Sequence, residues 1–239
     1  IVGASPRIQT VYSLVRAAAA NDMNVLITGE TGTGKELVAH AIHVNSARKK
    51  FDFVKVSCHN FPDTLLESEL FGHEKGAFTD AKDQKIGRFE RANRGTIFID
   101  DIDDMPPGAQ AKILNVLQDR KLERLGGTKT ISVDIRVVAA TKVDLAKAVR
   151  DGRFRDDLYY RLNVVPIDIP PLRDREGDIP LLIKEFVRKY APTKGFSISP
   201  QTMAELEHYM WPGNVRELEG AVQRAIALSG DSAELKREH

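Results

Sequence analysis

Gly29-Glu30-Thr31-Gly32-Thr33-Gly34-Lys35 is the stretch that decides how this chain folds. It fits the phosphate-binding pattern G-x-x-x-x-G-K and directly follows an apolar run, Val25-Leu26-Ile27. Glycines let the backbone curl so that successive N–H groups converge on phosphate oxygens. Lys35 then reaches the outer phosphates, and the helix that follows presents its positive N-terminal end. Glu36 stands where most such loops carry a magnesium-ligating Ser or Thr. A plain glycine-rich turn is the competing reading. The preceding strand and the amphipathic Leu37, Val38, Ala41, Ile42 pattern speak against it.

Outward from this loop, five short apolar runs alternate with helical patterns: 25–28, 53–57, 96–99, 135–139 and 164–169. Strands spaced by helix-length segments predict βαβ units, a five-stranded parallel sheet and flanking helices. Pro170-Pro171 breaks the alternation, and 179–190, 200–209 and 214–229 read as helices, with Asn214 as the N-cap of the last. The expected organisation is an α/β nucleotide-binding core over 1–170 and a small helical lid over 171–239.

Composition sets limits. Of 239 residues, 42% are hydrophobic and 29% charged, ordinary values for a globular protein. Lys and Arg total 35 against 34 Asp and Glu, so there is no basic field of the kind that holds DNA. The single cysteine, Cys58, ends an apolar strand and reads as a small buried hydrophobe; lacking a partner for a disulfide, it suits a cytoplasmic setting. No apolar run is long enough for a membrane helix. No leader is expected, and a start at Ile1 is expected of a piece of a longer protein.

A second chemical motif is Gly95-Thr96-Ile97-Phe98-Ile99-Asp100-Asp101, an apolar strand ending in two acids at the carboxyl edge of the sheet. Asp100 would hold Mg²⁺, and Asp101 would orient the attacking water. Many strands end in a solvated aspartate; the order after a phosphate loop gives this one its meaning.

The run Glu67-Ser68-Glu69-Leu70-Phe71-Gly72-His73-Glu74-Lys75-Gly76-Ala77-Phe78-Thr79-Asp80-Ala81 closely resembles the signature of bacterial enhancer-binding proteins, AAA+ ATPases that activate sigma-54 RNA polymerase. The similarity extends from Ile1-Val2-Gly3 to Trp211-Pro212-Gly213-Asn214-Val215-Arg216-Glu217-Leu218. It implies an ATP-hydrolysing ring, usually hexameric, with sites between subunits and a loop, here Gly76, Ala77, Phe78, Thr79, Asp80 and Ala81, that grips the sigma-54 holoenzyme. DNA would be held by a domain outside this sequence. The resemblance assigns Arg155 and Arg161 to a neighbour's ATP, Thr141 to the first sensor, Arg216 to the second, and Gly126-Gly127 to a second pore-facing loop. Without it, the arginines read as solvated or intrahelical pairs and the glycines as a hairpin turn.

Departures from the family cluster on the mechanism. Asp101 replaces the usual Glu, drawing the carboxylate back by on the order of 1 Å, a misplacement that can cost about 10²-fold in rate. Ser57 occupies the place of an Asn that restrains that acid, so Ser57 and Asp101 leave a wider gap. Asp80 replaces the second glycine of the loop and would add one carboxylate per subunit at the ring centre. Lys142 stands beside the first sensor, where a neutral residue is commoner. Phe78, Lys35, Asp100, Arg155, Arg161 and Arg216 are intact. The sequence therefore predicts a sigma-54 activator. The alternative is a slow or inactive nucleotide-dependent oligomerisation module that does not engage sigma-54. An unfoldase-type ring fits less well, because the 71–81 insertion is not a short aromatic pore loop.

Overall fold

A computed structural model of the chain describes residues 1–79, 81–193, 195–230 and the backbone of 234–235. The main sheet comprises β1 (Val25–Thr28), β2 (Phe53–Ser57), β3 (Thr96–Asp100), β4 (Arg136–Thr141) and β5 (Val165–Asp168). Its order is β2-β3-β4-β1-β5, and every neighbouring pair is parallel. The apolar runs thus form the predicted sheet, with ends shifted by a residue or two. Asp100 is the last residue of β3 and Thr141 the last of β4.

By packing, the chain divides into two compact units. The sheet unit holds Leu14–Thr28 and Glu36–Asp168. Helices α2 (Lys35–Val44), α3 (Asp63–Phe71), α4 (Pro107–Asp119) and α5 (Asp156–Leu162) follow its successive strands, after α1 (Pro6–Ala19) at the start of the chain. Central strands are covered on both faces, which is why β4 is buried at every position. Leu26, Val56, Ile97, Ile99, Val137 and Ala139 pack with Leu66 and Leu70 of α3, Ile113 and Leu117 of α4, and Leu158 and Leu162 of α5. Each of the Leu, Ile and Val side chains so withdrawn from water stabilises the fold by about 1.5–3 kcal/mol.

The other unit joins Ile1–Ser13 and Gly29–Lys35 to the chain from Ile169 onward. Its core is Leu172 and Trp211 with Ile179, Leu182, Ile183 and Phe186 of α6 (Asp178–Tyr190) and Leu218 and Val222 of α8 (Asn214–Leu228). Between them in sequence lies α7 (Pro200–His208), started by Ser199, whose hydroxyl accepts from the Thr202 N–H. Buried Asp178 ties the first residues to this unit. It accepts from the N–H groups of Ala4 (2.6 Å) and Ser5 (2.9 Å) and from Arg175 Nε (2.9 Å). Burial pushes the Asp178 carboxyl up, but these donors outweigh it and hold it below the usual carboxylate range.

Arg136, at the start of β4, is fully buried. Its Nη2 donates to Ala18 O (2.7 Å) and its Nε to Met23 O (3.2 Å), so the guanidinium caps the carbonyl end of α1. Burial lowers its pKa, opposed by the charge of Asp22. Arg136→Ala removes both of these hydrogen bonds and opens a cavity, and we expect a loss of about 3 kcal/mol in urea unfolding. A loss below about 1 kcal/mol would show the cap to be dispensable.

Candidate nucleotide site and partner loop

The 29–35 loop leaves β1 and runs into α2, as the motif requires. Lys35 Nζ donates to the loop carbonyls of Gly29 (2.8 Å) and Glu30 (3.2 Å), and Thr33 Oγ1 donates to Glu30 O (2.8 Å). Gly32 has φ +82°, and a Cβ there would lie 2.1 Å from Gly213 O, so only glycine fits. Around the loop stand residues of the C-terminal segment. Arg173 forms a fork on the Glu30 carboxylate, Nη1 to Oε2 at 2.9 Å and Nη2 to Oε1 at 2.5 Å. Asn214 Nδ2 donates to Glu30 Oε2 (3.1 Å) and to Thr31 O (3.0 Å), while its Oδ1 accepts from Leu172 N–H (2.8 Å). The Arg216 N–H donates to Gly32 O (3.3 Å), and the Arg216 side chain is exposed. Hydrogen bonds from Arg173 first, then Asn214, pull the Glu30 carboxyl down to about 2.

Asn214 corrects the expectation of an N-cap. Gly213 occupies the cap position, and Asn214 is the first helical residue, with φ +54°. Its side chain is spent on the phosphate loop and Leu172 rather than on the turn of α8. Glu36, the position after Lys35, is paired with Lys55 (2.5 Å).

At the carboxyl edge of the sheet, Ser57 and Asp100 lie side by side in the β2–β3 register. Asp101 has left-handed backbone (φ 50°, ψ 49°), which turns the chain sharply off β3. Ser57 Oγ lies 3.5 Å from one oxygen of the Asp101 carboxylate, and Lys142 Nζ lies 3.5 Å from the other. The same ammonium is 3.4 Å from Asp104 Oδ2. Burial lowers the Lys142 pKa, but Asp101, Asp104 and Asp103 outweigh it and raise it. Thr141 is buried and donates to Asp103 Oδ1 (2.7 Å). Cys58 is buried as expected; burial, then the charge of Asp101, pushes its thiol up and keeps it unreactive.

The two candidate arginines stand at opposite ends of α5. Arg155 is its N-cap residue and Arg161 its penultimate one, and both are exposed. Arg155 is forked on Asp157 (3.0 and 2.8 Å). In the candidate partner loop, Gly76 N–H donates to Ala81 O (2.8 Å) and Ala81 N–H to Phe78 O (2.9 Å), closing a tight turn. Phe78 and Thr79 stand near its tip, and the Phe78 ring meets the His73 ring edge-on at 5.0 Å. Asp80 lies outside the described residues. Gly126-Gly127 connects the antiparallel pair Lys121–Glu123 and Thr130–Ser132, so it is a hairpin connection. A Cβ on Gly126 would lie 2.8 Å from Ala77 Cβ, which brings the two loops together. Arg124 bridges them, reaching Glu74 (3.0 Å) and Glu90 (2.8 Å).

Sequence reasoning missed Arg173 and the buried role of Asn214. Both pairings span more than 140 residues, and no local pattern announces them. It flagged Lys142 as unusual without finding its contact with Asp101.

Known proteins give the class. Residues 1–168 match the sigma-54 interaction domain, and residues 173–239 match the AAA+ ATPase lid domain. The transcriptional regulatory protein ZraR of Klebsiella oxytoca is 51% identical over 95% of this chain and 52% of its own length. The Nif-specific regulatory protein of Herbaspirillum seropedicae is 51% identical over 97% of this chain and 43% of its own length. NtrX from Brucella abortus, solved in complex with ATP, superposes with TM-score 0.92 at 37% identity, over 100% of this chain and 53% of that one. The chain belongs to the sigma-54 interaction domain family and has the AAA+ α/β fold with its helical lid. It spans about half the length of these relatives.

The Glu30 carboxyl, lowered from 4.5 to about 2, contributes stability that is complete above the unfolded value and fades as pH falls toward the folded one. Both partners are substantially exposed, so the contribution is small. We expect Glu30→Gln to be destabilising at neutral pH, with the difference from wild type shrinking between about pH 5 and pH 2 in urea titrations. A difference independent of pH would mean that the charge contributes nothing.

Proposed function

We propose that this chain is the ATP-hydrolysing module of a bacterial transcriptional regulator, forming a ring in the cytoplasm, of hexamer type, that remodels the sigma-54 RNA polymerase holoenzyme to open promoters. The observation that carries the reading is the family match over the first 168 residues together with an intact phosphate loop ending in Lys35. The α/β core over 1–170 binds nucleotide, the lid over 171–239 responds to it, and DNA is bound by a domain outside this sequence.

In this reading Gly29, Glu30, Thr31, Gly32, Thr33 and Gly34 supply the phosphate-binding loop, and Lys35 neutralises the outer phosphates. Glu36 gives the loop no magnesium-ligating hydroxyl. Asp100 fits the metal by its chemistry: a hard carboxylate oxygen at a strand end, in a system where Mg²⁺ completes its shell with phosphates and water. When bound, Mg²⁺ neutralises developing charge on the transferred phosphoryl group. Asp101 orients the attacking water and accepts its proton, with Ser57 as its neighbour at 3.5 Å. Thr141 and Arg216 sense the nucleotide within the subunit. Arg155 and Arg161 of a neighbouring subunit stabilise transition-state charge, which makes turnover depend on assembly. Freed to do so, Arg155 exchanges Asp157 for phosphate. The Gly76–Ala81 loop carries Phe78 to sigma-54.

One observation favours the second reading, a slow nucleotide-dependent module. The Asp101 carboxylate is shared between Ser57 and Lys142, and an ammonium facing it must be displaced before water takes its place. An extra methylene at this position moves the carboxylate out of that bracket.

Steady-state ATP hydrolysis across a protein concentration series tests the reading. Turnover per chain should rise with concentration, Lys35→Ala should lose ATP binding, and Asp101→Glu should raise kcat by about tenfold or more. ATP binding without turnover in both wild type and Asp101→Glu would replace the motor with the binding module.

A further inference from the structure

The grip of Arg173 and Asn214 on the phosphate loop has no part in the roles just assigned. We propose that Glu30, Arg173 and Asn214 are positioning residues that hold the phosphate loop in its binding shape, so that nucleotide affinity is set by the C-terminal segment. This rests on the nucleotide-binding reading above.

Three successive loop residues are held from one side. Glu30 is held through its carboxylate, Thr31 through its carbonyl by Asn214, and Gly32 through its carbonyl by the Arg216 N–H. In a trans peptide the carbonyl and the next N–H point in opposite directions. Fixing the Thr31 carbonyl on Asn214 therefore turns the Gly32 N–H away from Asn214, leaving it able to meet a phosphate. Asn214 is fully buried and holds a left-handed backbone conformation, which an asparagine tolerates better than most residues. Its amide is divided between the loop on one side and Leu172 N–H on the other, so it has no freedom to rotate away. Arg173 follows Leu172 directly and presents a two-point fork, a geometry that fixes direction as well as distance. The charge on Glu30 is therefore met at the surface by Arg173 and does not repel phosphate freely. The packing agrees: Gly29–Lys35 group with the C-terminal segment.

A loop released from this clamp samples shapes that do not bind, and apparent affinity falls in proportion to the competent fraction. The test is titration of fluorescently labelled ADP against the 239-residue chain, with melting of the nucleotide-free protein alongside. Arg173→Gln and Glu30→Gln should each raise the ADP Kd by about tenfold. The melting temperature should change by no more than about 2 °C, because both side chains are partly exposed. The double variant should bind no more weakly than the worse single one, since both break the same clamp. Single variants with wild-type affinity would overturn the proposal. So would a double variant whose loss is the product of the two single losses, which would mean that the residues act on the nucleotide separately. A wild-type chain that fails to bind ADP would instead sink the nucleotide-binding reading beneath it.

Discussion

Parallel strand register is the constraint from which the candidate chemistry follows. In a parallel sheet all carboxyl ends lie on one edge, and here the ladder aligns Ser57 with Asp100 and Thr28 with Thr141. The interiors of the central strands are apolar because both faces are covered, so their polar groups gather where the strands end. Gly29 begins the phosphate loop at the next residue after Thr28. A one-residue slip between β2 and β3 would turn buried Val56 and Ile99 outward and separate Ser57 from Asp100. The hydrophobic core therefore fixes the level of the acids, and the chemistry inherits its geometry from packing.

Asp101 shows how a small change in side-chain length alters such an edge. Its backbone is already turned into the left-handed region, so its short side chain has few directions available. Long contacts of 3.5 Å to both Ser57 and Lys142 are what a carboxylate shows when it is bracketed without being gripped. Around it Asp100, Asp103 and Asp104 concentrate negative charge, and Lys142 is the cation that meets two of these four acids. Lysine is thus an understandable neighbour for Thr141 in this chain. It balances a local excess of carboxylate that a neutral side chain would leave unopposed.

How much of this was legible in the sequence depends on range. The five strands announced themselves by short apolar runs, and the phosphate loop by a motif whose spacing has a mechanical reason. The family followed from the 67–81 signature. Asn214 was misplaced, because an Asn after Pro-Gly at a helix start fits local capping rules. Its side chain instead answers to a carbonyl 183 residues away, and tertiary demand overrode the local rule. Arg173 had no local signature at all. Arg155 and Arg161 stand at the two ends of α5, the first already paired with Asp157, and nothing in the sequence announced that pairing.

Connectivity links the acid edge to the loops. Ser57 ends β2, and the chain from there passes through Cys58–Asn60 and α3 into Gly72-His73 and the Phe78 loop. Asp100 ends β3, and the chain from there passes through Ile102–Asp104 and α4 into the Gly126 hairpin. The two loops then meet. Leu125 N–H donates to Gly72 O (3.0 Å), Glu74 N–H donates to Leu125 O (3.0 Å), and Arg124 joins Glu74 to Glu90. One helix separates each strand end from its loop, and each helix is packed against the same core as the strands. Close-packed elements move as bodies rather than deforming. A change in spacing between Ser57 and Asp101 thus has two short covalent routes outward, converging on the loop whose aromatic tip rests against His73.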